Sequence, residues 1–364
     1  MDTVQKDIIF WVGFSHCRSI GARTLKRLID YFPDLEAAWR APAEALLRAG
    51  VAPHRLGQLL DERKRINPEA VYQLTLHHQI NIVTIKNQAY PPLLREIPDA
   101  PQLLFYRGSL PRWTHHLVAV VGSRKTTPYG RHITPLLIEP LAAQGITVVS
   151  GLALGIDTLA HQSTLDMGGT TIAVLAGGLD TIYPRTNTAL AESIIAHGGC
   201  LLSEYPVGTP PFKQHFPIRN RIIAGLSHLT VVIEGMADSG SLITARLAVD
   251  YNRDVGAVPG AITSDHARGP HHLLKDGAAM IERVDDIYAL LKLDKKSDTV
   301  QNKSVVPTTD AERQLLELIG SIPVDIDEIF QQSRLPSSAV NTALTNLEMN
   351  GTIRRSGSTH YVRT

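Results

Sequence analysis

Between Lys213 and Arg221 the chain reads KQHFPIRNR, a lysine and two arginines (Arg219 and Arg221) around Phe216, with Asn220 beside them. Ammonium and guanidinium groups bond anionic oxygens through several donors each, and a ring among them offers a face for stacking. That chemistry suits holding an extended polyanion better than breaking a bond. The formal net charge of the 364-residue chain is only +1, so the charge that meets such a ligand must be local. Residues 1–110, 111–293 and 294–364 carry +3, −1 and −1. No segment is basic as a whole, and particular loops must do the binding.

Three further turns carry suitable residues. In GSRKTTPYG, Gly122 gives room for close approach, Ser123 a hydroxyl and Arg124 a fork of donors. SGLALGID brings Gly151 and Gly155. In GMADSGSLITA, Ser239, Gly240 and Ser241 stand where a helix should begin, with Thr244 one turn further in. Small hydroxyl residues around a glycine at a helix N-terminus cradle anions, although a single one of them would suffice as a cap.

Signs of catalysis are missing. Neither GxGxxG nor GxxxxGK[ST] occurs, and no acid follows the second apolar run to hold a ribose. Cys17 and Cys200 stand alone, which excludes a disulfide scaffold and a cysteine zinc site. Asp157 and His161 lie four apart on an expected helix and can touch, and they read as a helix-surface or core hydrogen bond and not as a catalytic or metal pair. Glu204 and Glu234, ending strands near arginines, read as ion-pair partners. We expect no catalytic residue, no metal and no cofactor.

The elements that position these turns follow from periodicity. From 116 to 293, short continuous runs (LVAVV, ITVVS, TIAVLA, CLLSE, HLTVVIE, VGAVPG, AAMIE) alternate with glycine-bearing turns and amphipathic stretches. Such runs are strands buried on both faces, and their alternation with helices predicts an α/β, Rossmann-like, doubly wound and mostly parallel sheet. Residues 1–72 read as a helical domain with Leu25, Leu28, Ile29 and Phe32 at helical spacing, and SIGARTLKRLI is similar to a helix-hairpin-helix turn. Residues 73–115 read as a proline-rich strap leading into the core, and 294–308 as a polar linker. Residues 309–364 read as a winged helix opened by a Thr309–Glu312 capping box. The apolar run near the N-terminus is too short to span a membrane, and the location expected is cytoplasmic.

Together, YPPLLREIPDAPQLLFYRG, VAVVGSRKTTPYG, VVSGLALGIDTLAH, TIAVLAGGLDTIYPRTN, SEYPVGTPPFKQHFPIRNRIIAGLS, SGSLITA and AVPG resemble the bacterial DNA-processing (DprA/Smf) family over about 90–280. The resemblance implies a homodimerising Rossmann-like core that binds single-stranded DNA and helps load the strand-exchange recombinase (RecA) during DNA uptake, with no enzymatic activity. It carries the DNA pocket onto Arg124 and Lys213, with Phe216, Arg219, Arg221 and the Ser239–Ser241 turn on the same matched strings. The family's usual G-x-N string is here GPHHLLKDGA, with His271.

Two other classes compete with this reading. A nucleotide phosphoribohydrolase of the LOG type has a similar core, but its PGGxGTxxE signature is absent. A sequence-specific regulator would use the winged helix, yet SSAVNTALTNLEMN contains no arginine or lysine to enter a groove. Within 213–221, Pro217 fits a first helical turn, so Arg219 and Arg221 should point apart. We expect Lys213 and Phe216 to meet DNA from a loop and Arg221 to brace the pocket through Glu204 or Glu234.

Overall fold

The computed structural model describes residues 3–293, 309–320, 323–349, 351–357 and 359–363. The expected linker at 294–308 lies outside them. The chain divides into two compact units, Met1–Leu293 and Asp294–Thr364.

The larger unit opens with six helices: α1 (Thr3–Ser15), α2 (Ala22–Tyr31), α3 (Leu35–Arg40), α4 (Ala43–Arg48), α5 (Pro53–Arg65) and α6 (Pro68–His77). Asp34 and Asn67 cap α3 and α6 through their side chains. Pro53 and Pro68 open α5 and α6, where a missing N–H leaves no bond unmade. The apolar face of α2 buries Leu25 and Leu28. These join Phe14, Leu35, Leu46 and Leu59 in a core that runs on into the sheet residues Leu103, Phe105 and Leu201.

The sheet contains nine strands among the described residues: β1 (Asn81–Thr84), β2 (Leu103–Gly108), β3 (Leu117–Val121), β4 (Thr147–Ser150), β5 (Thr171–Val174), β6 (Cys200–Ser203), β7 (Leu229–Val232), β8 (Asp254–Ala257) and β9 (Ala279–Met280). Their order is β1-β2-β6-β5-β4-β3-β7-β8-β9. From β6 to β9 every pairing is parallel, whereas β1–β2 and β2–β6 are antiparallel. The stretch read as a strap therefore contributes two strands to the sheet edge, on either side of α7 (Pro92–Glu96). The connecting helices are α8 (Pro128–Ala143), α9 (Ile156–Asp166), α10 (Thr188–Ala196), α11 (His215–Leu226), α12 (Gly240–Asp250), α13 (Arg268–Lys275) and α14 (Val284–Leu290).

Both faces of the central strands are covered. In β3, Leu117, Ala119 and Val121 face one core while Val118 and Val120 face the other. Strand β3 begins the wound part, with β4, β5 and β6 laid down on one side and β7, β8 and β9 on the other. The order reverses between β3 and β7. In open parallel sheets, ligands sit beyond the carboxyl ends of the strands at such a point.

In the second unit α15 (Asp310–Leu318), β10 (Val324–Asp325), α16 (Ile326–Ser333), α17 (Ser337–Met349), β11 (Ile353–Arg355) and β12 (His360–Arg363) form a winged helix. Its three strands pair antiparallel in the order β10-β12-β11. Thr309 and Glu312 form the reciprocal cap expected of them. Leu315, Ile329, Val340, Leu344 and Tyr361 fill its core. Among the described residues no helix is long and apolar enough to cross a membrane.

Candidate nucleic-acid interface

The loops at the β3/β7 reversal are bonded into one layer. Ser123 N donates to the Glu234 carbonyl at 2.9 Å, and Ile156 N donates to the Ser123 carbonyl at 3.1 Å. The buried Glu234 carboxylate accepts from Thr127 N at 3.0 Å and from the Thr127 hydroxyl at 2.7 Å. That hydroxyl in turn accepts from Gly130 N and caps α8. Gly122 serves this internal packing. A Cβ there would stand 2.6 Å from Ile156 Cγ1 and 2.9 Å from the Glu234 carbonyl oxygen.

Beneath the loops lies a layer of buried guanidinium groups. Arg219 and Arg221 both sit on α11, so they point apart as helical spacing requires. Arg219, 4% exposed, donates to the Gly151 carbonyl at 2.7 Å and to the Val174 carbonyl, tying the ends of β4 and β5 together. A Cβ on Gly151 would meet this guanidinium at 2.6 Å, so the glycine makes room for an arginine. Burial pushes Arg219 down to about 10, which leaves it charged at neutral pH. Arg221, 7% exposed, pairs with Glu204 at 2.5 Å and lies 3.7 Å from Asp99. The expected brace is thus through Glu204, while Glu234 holds the start of α8.

Asp157 and His161 are both buried but have separate partners. Asp157 accepts from Gly151 N at 3.1 Å and Ala153 N at 3.3 Å, shaping the loop after β4. His161 Nδ1 lies 2.7 Å from the Thr171 hydroxyl. They do not bond each other, and each makes core hydrogen bonds of its own.

Three side chains meet above this layer. The exposed Arg124 places its guanidinium carbon 5.1 Å from the centre of the Phe216 ring. Tyr183, half-exposed on the loop between β5 and α10, meets the same ring edge-on at 5.9 Å. Arg219 lies 5.9 Å from the ring. Lys213 is exposed just before α11. Phe216 belongs to the first turn of that helix and not to a loop.

The Ser239–Ser241 turn is largely self-satisfied. The Ser239 hydroxyl caps α12, accepting from Ser241 N, and bonds the Ser241 hydroxyl at 2.8 Å. Ser241 and Thr244 are buried, whereas Gly240 is exposed. The amide of Asn220 donates to the Gly240 carbonyl at 3.2 Å and fixes this turn against α11. His271 Nε2 lies 3.0 Å from the Gly260 carbonyl oxygen, closing the loop after β8.

The sequence profile of the DNA recombination-mediator protein A family matches residues 81–292, and that of the DprA winged helix domain matches residues 301–357. Protein Smf of Synechocystis sp. is 34% identical across 97% of this chain and 98% of its own length. The chain belongs to the DNA recombination-mediator protein A family. The DNA processing protein DprA of Streptococcus pneumoniae is 45% identical over 57% of this chain and 72% of that protein. The solved DprA structure from Streptococcus pneumoniae is similar with a TM-score of 0.67 and 36% identity, covering 76% of this chain and 95% of that one. A second, DNA processing protein A from Helicobacter pylori, has a TM-score of 0.53 and 32% identity over 59% and 97% of the two chains. That protein is described by its single-stranded DNA binding mode.

Within this family member, Tyr183 is the residue that sequence reasoning missed. The loop AGGLDTIYP stood out for its glycines, and nothing in it says that its tip reaches Phe216 on a helix 33 positions later.

Proposed function

We propose that the β3/β7 crevice binds single-stranded DNA without sequence preference. Arg124 and Lys213 bond phosphate oxygens, and Phe216 and Tyr183 offer ring faces for the bases. Gly122, Ser123, Gly151, Arg219, Asn220, Arg221, Ser241 and Thr244 shape the crevice from below, while Ser239 and Gly240 line its rim. The observation that carries this reading is the cluster of Arg124, Phe216 and Tyr183, a cation and two rings at the reversal point of a doubly wound sheet. The single-stranded DNA binding of the Helicobacter pylori relative supports it. Glu204 and Glu234 are both consumed by internal partners, which favours a binding role over the hydrolase alternative. As a recombination mediator, the protein would act as a homodimer and hand the bound strand to a strand-exchange recombinase.

The test is anisotropy of a labelled 20-mer of deoxythymidine at fixed salt. Arg124→Ala and Lys213→Ala should each weaken binding at least tenfold, about 1.4 kcal/mol. Unchanged affinity in both variants would overturn the assignment.

A further inference from the structure

The carboxyl edge of the sheet continues past the crevice, over the ends of β7 and β8. Three exposed apolar side chains stand on the segments there: Tyr129 at 43%, Met236 at 48% and Ile262 at 91%. Single exposed apolar residues are ordinary, but these three belong to segments fastened to one another. The Tyr129 hydroxyl donates to the Pro259 carbonyl at 2.7 Å, which ties the start of α8 to the loop that carries Ile262. Gly235 N, beside Met236, donates to the His266 carbonyl at 2.7 Å, and Gly269 N donates to the Gly235 carbonyl at 2.8 Å. An isoleucine so exposed is hardly more buried than in the unfolded chain, so the fold gains almost nothing from its apolar surface.

The cations beside these side chains are uncommitted. Lys125 is exposed and follows Arg124 in a turn held by the Ser123 hydroxyl. That hydroxyl donates to the Lys125 carbonyl at 2.8 Å and accepts from Lys125 N at 3.1 Å. Arg131, also exposed, bonds the Thr126 carbonyl at 2.9 Å. Among the described residues neither cation is paired with an acid. Of the nearby carboxylates, Glu234 is spent on Thr127 and Asp265 pairs with Arg268 at 2.9 Å, which leaves the exposed Asp238. Free cations among apolar side chains suit a single strand, which presents phosphates and base faces together. The patch also starts where the crevice ends, because Lys125 adjoins Arg124 on one fixed turn.

We propose that the bound single strand leaves the crevice toward β8, with a phosphate on Lys125 and bases against Tyr129, Met236 and Ile262. This inference rests on the reading of the crevice as a single-strand site and gives the strand its path across the sheet. Tyr183 follows β5 and Pro259 follows β8, and the order β5-β4-β3-β7-β8 sets them four strand spacings apart, about 19 Å. About six nucleotides stacked at about 3.4 Å cover that distance, so the labelled 20-mer reaches both ends.

The path is tested by 20-mer affinity in about 0.15 M salt, where exposed charges more than about 8 Å apart are largely screened. Ile262 can be exchanged without loss of packing, and its two charge variants should act with opposite sign. Ile262→Asp should weaken binding at least threefold, and Ile262→Lys should tighten it at least twofold. Lys125→Ala should weaken it at least threefold and make the plot of log affinity against log salt shallower by about 0.7. Tyr129→Phe keeps the ring and should bind more tightly than Tyr129→Leu. Thermal melts verify that the variants fold, and sedimentation velocity reports self-association. If Ile262→Asp and Lys125→Ala bind like the wild type while Arg124→Ala and Lys213→Ala bind weakly, the crevice stands and the path is overturned. If Ile262→Asp changes the oligomeric state and leaves affinity unchanged, a second copy covers the patch and the path is again overturned. If all four of these variants bind like the wild type, the single-strand reading falls together with the path.

Discussion

The loop layer at the end of the sheet separates two sets of basic residues with opposite uses. Above it, Arg124 and Lys213 are exposed and rest on a ring or on nothing. Below it, Arg219 and Arg221 are 4% and 7% exposed and are spent on carbonyls and carboxylates of the chain itself. All four belong to the motifs that suggested a polyanion site. Burying a guanidinium costs several kcal/mol in lost hydration, and only fixed partners offset it. The lower pair therefore holds its surroundings rigid so that the upper pair is presented in place. A cation near a ligand in sequence is not thereby a cation that touches it.

The largest effect should come from breaking the lower layer. Arg221→Ala leaves the largely buried Glu204, its side chain 19% exposed, without its partner, and the expected loss is about 3 kcal/mol of stability, read from urea denaturation. Lys213→Ala, on the surface, should stay within about 0.5 kcal/mol of the wild type. A loss below about 1 kcal/mol for Arg221→Ala would dissolve the distinction between the layers.

A pH series probes the same interior by a different route. The Thr171 hydroxyl donates to the Val148 carbonyl at 2.8 Å, so it accepts from His161, whose proton is on Nδ1. Nε2 then faces the interior without a partner. Burial, with Arg219 adding to it, pushes His161 down from 6.5 to about 3. The unfolded chain takes up a proton below about pH 6.5 while the folded chain does not. The stability this residue contributes is whole above pH 6.5 and is lost as pH falls toward 3, at about 1.4 kcal/mol per unit. Between pH 6.5 and 5 the wild type should lose about 2 kcal/mol more than His161→Gln. Equal losses would mean that the imidazole is charged in the folded state.

Much of the fold was legible because its determinants are local. Seven apolar runs became β3 to β9, since a strand covered on both faces must be apolar at every position. Strands β1 and β2 escaped notice among prolines, being four and six residues long at an antiparallel edge. The site was legible in residue types but not in depth. Nothing in KQHFPIRNR separates an arginine that faces solvent from one that faces Glu204 until the helix is known to begin at His215. The purpose of Gly151 was equally hidden, because its neighbour Arg219 comes 68 positions later.

The smallest expected effect distinguishes charge from stacking within the upper layer. If Lys213 bonds a phosphate as proposed, Lys213→Ala should make the plot of log affinity against log salt shallower by about 0.7 for a single strand. Tyr183→Leu removes a ring but no charge. Base stacking on an aromatic side chain is worth about 1–3 kcal/mol; with Phe216 beside it to hold the same base, the proposed site should lose about 1 kcal/mol. Its salt slope should match that of the wild type. Measuring the 20-mer across a salt series for both variants separates the two contributions. If Tyr183→Leu changes the slope, the ring acts by placing Arg124, which meets the same Phe216 ring. If neither affinity nor slope changes, the bases stack on Phe216 alone.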